Sequence, residues 1–117
     1  MKYYVYAKQI VLDDQVIDKA YLTIEDGKFG PILMEEPQDA PIKDYSQSIV
    51  APGLVDTHIH GYKSHDVMDN DFEGIKVISE GLLSCGVTSW LPTTLTSSAE
   101  LLNDVCETIG NHYQEVT

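Results

Sequence analysis

Two histidines separated by one residue, His58 and His60, are the chemically suggestive feature of this chain. They lie in the run Ala51-Pro52-Gly53-Leu54-Val55-Asp56-Thr57-His58-Ile59-His60-Gly61. The run is apolar and β-prone, and side chains at i and i+2 of a strand share one face. Their Cα atoms would stand about 6.6 Å apart, near enough for both rings to reach one metal ion from a single strand. Neutral imidazole binds zinc and similar ions at about 2.0–2.1 Å, usually with three or four protein ligands, so this pair needs partners. The same spacing also fits one solvated and one structural histidine at a strand end. Candidate partners within the chain are Asp56, His65 and Asp66. Asp56 shares the histidines' face one step deeper. It either orients a ring nitrogen as an acceptor or is a polar interior residue held by backbone donors. His65 and Asp66 are expected in a loop, where a surface role and a substrate contact are both open.

The elements around the pair follow a strand–helix–strand–helix order. Leu54–His60 has a continuous rather than alternating β character, which suits a parallel strand covered on both faces. Gly61 permits a sharp exit into a long loop over 61–70. Asn70 and Glu73 have capping-box spacing, and Ile75, Ile78, Leu82 and Cys85 recur at helical intervals. Gly81 weakens that helix by up to about 1 kcal/mol, and Gly86 suits the left-handed position after its end. Val87-Thr88-Ser89-Trp90-Leu91 is a second buried-type strand closed by Pro92, with Trp90 packing. Thr93, Thr94 and Thr96 follow it and either cap backbone around Pro92 or face a site mouth. Ser97 and Glu100 form a second capping box, ahead of an apolar stripe through Leu101, Leu102, Val105, Cys106 and Ile109. His112 falls at the end of this helix, beside the negative end of its dipole.

Repeated βα units make either an open doubly wound sheet or a closed (β/α)8 barrel. The barrel is preferred, because the histidines sit at the C-terminal end of their strand, where barrel sites lie. A whole barrel needs roughly 250 residues. The expectation is therefore an α/β chain whose residues 51–117 are the first two βα units of a TIM barrel, the N-terminal part of a larger or truncated enzyme.

Residues 1–50 read as a small all-β domain that precedes it. Strands are expected around Tyr3–Leu12, Val16–Glu25 and Lys28–Met34, with turns at Asp13-Asp14-Gln15 and Asp26-Gly27, the latter a strong hairpin signal. Ala20, Leu22 and Ile24 share a face. The sheet is expected to be antiparallel with uncovered edges, and 35–48 to be a polar loop carrying Pro37 and Pro41.

The 117 residues carry 19 acidic and 7 basic side chains, a net charge of −12. Nucleic acid and anionic membranes both need a positive patch, so neither is expected as a partner. No apolar run approaches a membrane span. The two cysteines, Cys85 and Cys106, are expected as reduced, buried helix residues of a cytoplasmic protein. The tyrosines near the start are expected to cover sheet faces.

These segments resemble the amidohydrolase superfamily, and more narrowly its N-acetylglucosamine-6-phosphate deacetylases. The resemblance rests on Pro52-Gly53-Leu54-Val55-Asp56-Thr57-His58-Ile59-His60-Gly61, on Gly86-Val87-Thr88-Ser89-Trp90-Leu91-Pro92-Thr93-Thr94, and on the spacing between them. The second stretch is the more specific to that subgroup. The resemblance implies a composite β-sandwich domain followed by the barrel, with His58 and His60 holding a divalent metal, zinc first and iron, manganese or cobalt as alternatives. It implies a Glu, two further histidines and the catalytic Asp from later strands, so that no catalytic residue lies within this chain and the chain alone is inactive. Asp56, Gly61, His65, Thr93 and Thr94 are the remaining candidates for touching substrate or orienting the rings, and Lys63 is a weak candidate for phosphate. The implied reaction is hydrolysis of N-acetylglucosamine 6-phosphate to glucosamine 6-phosphate and acetate by a homodimer. A different amidohydrolase acting on a cyclic amide, dihydroorotase-like, and a non-catalytic metal-binding or assembly module are the competing readings.

Overall fold

The computed structural model describes residues 1–115; Val116 and Thr117, the end of the expected barrel portion, lie outside them. The chain divides into two compact units, Met1–Pro52 and Gly53–Thr117.

The first unit is a four-stranded sheet of β1 (Lys2–Val11), β2 (Val16–Glu25), β3 (Lys28–Leu33) and β4 (Ile42–Val50), in the order β3-β2-β1-β4. The β2–β3 turn is made by Asp26 and Gly27 at φ 49° and 76°, the paired positive values of a tight hairpin. Leu12 N–H donates to Gln15 O at 2.8 Å and closes the β1–β2 turn. Ala20, Leu22 and Ile24 are buried together with Ala7 and Ile10, as the alternation predicts. Two expectations fail. The sheet is mixed, because β4 pairs with β1 in parallel. The stretch 35–48 is also not all loop, since β4 begins at Ile42. Most of β4 is exposed, so it carries no apolar alternation, and its pairing is supplied by the free edge of β1. Its register slips by two residues between Ala7 and Gln9, beside a bend where Asp44 Oδ1 accepts from Ser46 N–H at 2.7 Å.

The second unit runs β5 (Leu54–Ile59), β6 (Gly61–Tyr62), β7 (His65–Asp66), a 3-10 turn (Val67–Asp69), α1 (Phe72–Ser84), β8 (Val87–Pro92) and α2 (Ala99–His112). A further 3-10 turn spans Tyr113–Glu115. β5 and β8 pair in parallel, as their composition predicts. They are not covered on both faces, however: Leu54 and Val55 are 63% and 64% exposed. Only one side of the pair meets helix, where Val67, Ile75, Ile78, Leu82 and Val105 form the core with Ile59, Trp90 and Leu101 against it. Trp90 packs there and its indole N–H donates to Ser79 Oγ on α1 at 2.9 Å.

Local signals shift by a residue at both helix starts. Asp71, not Asn70, caps α1, its carboxylate accepting from Glu73 N–H. Asn70 instead ends the preceding 3-10 turn at φ 52°. Ser98, not Ser97, caps α2 by accepting from Leu101 N–H. Gly86, at φ 87°, follows α1 as its capping role requires. Both cysteines are exposed rather than buried and both are free: Cys85 lies at the end of α1, past its apolar stripe, and Cys106 lies beside Val105, the one fully buried residue of α2. No helix among the described residues is long and apolar enough to cross a membrane.

Candidate functional site

The histidines lie where β5 ends and the chain turns into β6. His58 is in the last turn of pleat before Ile59, and His60 sits between the two strands. Their rings meet edge to face, with centroids 4.9 Å apart. The i, i+2 spacing therefore delivers two imidazoles to one side of the strand. His58 is exposed and His60 is half-buried, so neither is walled in among aliphatic side chains.

Backbone contacts define this end of the sheet. His60 Nδ1 lies 2.8 Å from Thr93 O. A carbonyl only accepts, so Nδ1 carries the proton, and the neutral ring keeps its lone pair on Nε2. The His60 carbonyl accepts from Val67 N–H at 2.7 Å. Val67 in turn opens a 3-10 turn stitched at its start: Asp66 Oδ1 accepts from Met68 N–H at 2.8 Å, and Asp69 Oδ2 accepts from Asp66 N–H at 2.9 Å. Asp56 Oδ1 accepts from His58 N–H at 3.0 Å, so this carboxylate holds the backbone at His58.

The expected loop 61–70 is instead ordered. β6 and β7 form a hairpin whose turn residues, Lys63 and Ser64, have φ 54° and 64°. Gly61 belongs to this hairpin by close approach, because a Cβ there would stand 2.2 Å from His65 O. His65 is half-buried in β7, and its ring lies against the first turn of α1, where a Cβ on Gly74 would meet Nδ1 at 2.8 Å. Asp66 is a turn cap rather than a loop-surface group. Lys63 lies over the Tyr62 ring, 5.4 Å from its centroid. Thr94 is half-buried just after Thr93. His112 stacks on Phe72 with centroids 4.3 Å apart.

Among the described residues no three His, Cys, Asp or Glu side chains come together as a metal cage. A two-imidazole donor set with one ring fixed as the Nδ1–H tautomer nevertheless fits one arm of a divalent-cation site, because His binds metal through a deprotonated nitrogen while the other donates to an acceptor. An apolar cleft of about 410 Å³, lined by Phe72, Ile75, Trp90, Leu91 and Ile109 among others, includes neither His58 nor His60. Sequence reasoning missed two participants, Thr93 O and Val67 N–H. Both are main-chain atoms, which no residue pattern advertises.

No family model matches the chain. It is 37% identical over 90 residues to the N-acetylglucosamine-6-phosphate deacetylase of Bacillus subtilis (strain 168), a match covering 74% of this chain and 23% of that protein. It is 28% identical over 108 residues to the N-acetylgalactosamine-6-phosphate deacetylase of Escherichia coli O157:H7, covering 92% and 28%. The crystal structure of N-acetylglucosamine-6-phosphate deacetylase from Pasteurella multocida superposes with a TM-score of 0.89 at 21% identity, over 98% of this chain and 31% of that one. The chain thus spans about a quarter of the length of the curated relatives it matches. Its relationship in sequence to these proteins, joined to the shared fold, makes the chain a homologue of the N-acetylglucosamine-6-phosphate deacetylases.

Proposed function

We propose that this chain supplies the two-histidine arm of a metal-dependent site that deacetylates N-acetylglucosamine 6-phosphate, giving glucosamine 6-phosphate and acetate. The observation that carries the reading is the convergence of His58 and His60 at the C-terminal end of a parallel strand, with centroids 4.9 Å apart and the His60 tautomer set by Thr93 O. In this reading β5-α1-β8-α2 are two βα units of a (β/α)8 barrel, whose active end is the C-terminal end of its strands. The exposed apolar residues Leu54 and Val55 suit strands that neighbouring elements cover.

His58 and His60 would hold a divalent cation, with zinc the first choice and iron, manganese or cobalt as alternatives. Such an ion supplies a water of lowered pKa and polarises the scissile carbonyl. This chain's own groups have narrower tasks. His60 keeps its proton on Nδ1 and presents Nε2 as donor. Asp56 fixes the backbone from which His58 projects. The β6–β7 hairpin and its following 3-10 turn fix the exit from the strand through Val67 N–H. Proton transfer to the departing amine falls to a carboxylic acid outside this chain. A homodimeric, cytoplasmic enzyme is part of the same proposal.

The test is acetate release from N-acetylglucosamine 6-phosphate by the protein that contains this chain, run beside N-acetylgalactosamine 6-phosphate and dihydroorotate. Turnover of the first substrate, abolished by chelator and restored by zinc or cobalt, is the expected result. Hydrolysis confined to the cyclic amide would overturn it, and the 117-residue chain alone should release no acetate.

A further inference from the structure

We propose that Thr93 is a positioning residue for His60: its hydroxyl and backbone together lock the imidazole as the Nδ1–H tautomer, so that Nε2 is the ligating atom. The cation-binding part of this inference rests on the function proposed above; the tautomer part does not.

Pro92, the last residue of β8, has no amide proton and so donates nothing to the β5 ladder. Thr93 makes up for this with three bonds. Its N–H donates to Ile59 O at 2.9 Å. Its Oγ1 accepts from Ile59 N–H at 3.2 Å and donates to Leu91 O at 3.0 Å. A single atom that accepts from one strand and donates to the other must be a hydroxyl, which leaves serine and threonine as the residue types that serve. With its amide and side chain both engaged, the Thr93 peptide is held, and the carbonyl that follows is held with it. That carbonyl receives His60 Nδ1–H at 2.8 Å. Val67 N–H grips the His60 carbonyl from the other direction at 2.7 Å, so ring and backbone are fixed by different elements. The arrangement has the logic of an outer acceptor that fixes a ligand's tautomer, with a main-chain oxygen as the acceptor.

The experiment uses the protein that contains this chain with 15N-labelled histidine, stripped of metal by chelator. Measurement is made at about pH 8.5, above the ordinary histidine range. The His60 signals are assigned by their loss in His60→Gln. The wild type should show a protonated Nδ1 and an unprotonated Nε2 at His60. Thr93→Val should mix the two tautomers and weaken cobalt uptake by about tenfold to a hundredfold, the usual loss when a ligand's outer partner is removed. Thr93→Ser should retain both properties. A Thr93→Val protein that keeps the wild-type tautomer overturns the proposal. So does a Thr93→Ser protein that behaves like Thr93→Val, since packing of the methyl would then be the cause. A tautomer shift in a protein whose wild type takes up no cobalt upholds the clamp and refutes the metal-dependent function. Cobalt uptake that needs His60 but ignores Thr93→Val does the reverse.

Discussion

Replacing Gly81 with alanine sets two effects of known sign against each other. Gly81 is buried in α1, and helix propensity alone makes Gly→Ala favourable by about 1 kcal/mol. The Tyr62 ring decides otherwise. A Cβ on Gly81 would stand 2.6 and 2.7 Å from two carbons of that ring and 3.1 Å from Lys63 Cγ. The contact is with the side of a half-buried ring packed against the α1 core, so relief requires the ring to lift away. Overpacking of this kind costs about 1–3 kcal/mol, leaving Gly81→Ala neutral to about 2 kcal/mol destabilising after the helical gain. In a Tyr62→Ala background the obstruction is gone, and the same substitution should stabilise by about 1 kcal/mol. Urea unfolding of the wild type, both single variants and the double variant gives the coupling, expected at about 1–3 kcal/mol. An equal gain from Gly81→Ala in both backgrounds would refute the reasoning.

Other expectations follow from single contacts. Lys2 and Tyr4 donate to the Asp39 carboxylate at 2.7 and 2.8 Å and hold its pKa below the usual value, the Lys2 bond acting most. A depressed carboxylate contributes stability that is present above the unfolded value near 3.9 and is lost as pH falls through the folded one. An NMR titration should therefore place Asp39 below about 3.9, with Lys2→Met moving it upward; an unmoved midpoint contradicts the contact. The Tyr62 hydroxyl, 3.5 Å from Cys85 Sγ, lowers the Cys85 thiol pKa, with Ser84 and Lys63 contributing less. Tyr62→Phe should then slow iodoacetamide alkylation of Cys85 near neutral pH, read by peptide mass spectrometry, and an unchanged rate would count against the contact.

What the sequence made legible depended on where the determining interaction lay. The Asp26-Gly27 turn was readable because both residues tolerate the positive φ they adopt. The Lys63-Ser64 turn has the same backbone signs in residues that do not announce them, so the β6–β7 hairpin passed for loop. β4 was hidden because the partner β1, not its own pattern, makes it a strand. Gly81 looked like a weak point of a helix, whereas its role is to admit the Tyr62 ring. The shared side of His58 and His60 was legible, since a two-residue strand period fixes it. Their anchoring was not, because Thr93 O and Val67 N–H are main-chain groups that a side-chain pattern does not mark.

The proposed function requires two imidazoles to share one cation. X-ray absorption at the metal edge of the cobalt- or zinc-loaded protein measures this most directly. The prediction is imidazole nitrogen scattering at about 2.0–2.1 Å, reduced by two nitrogens in the His58→Gln/His60→Gln variant. An unchanged imidazole signal in that variant would contradict it.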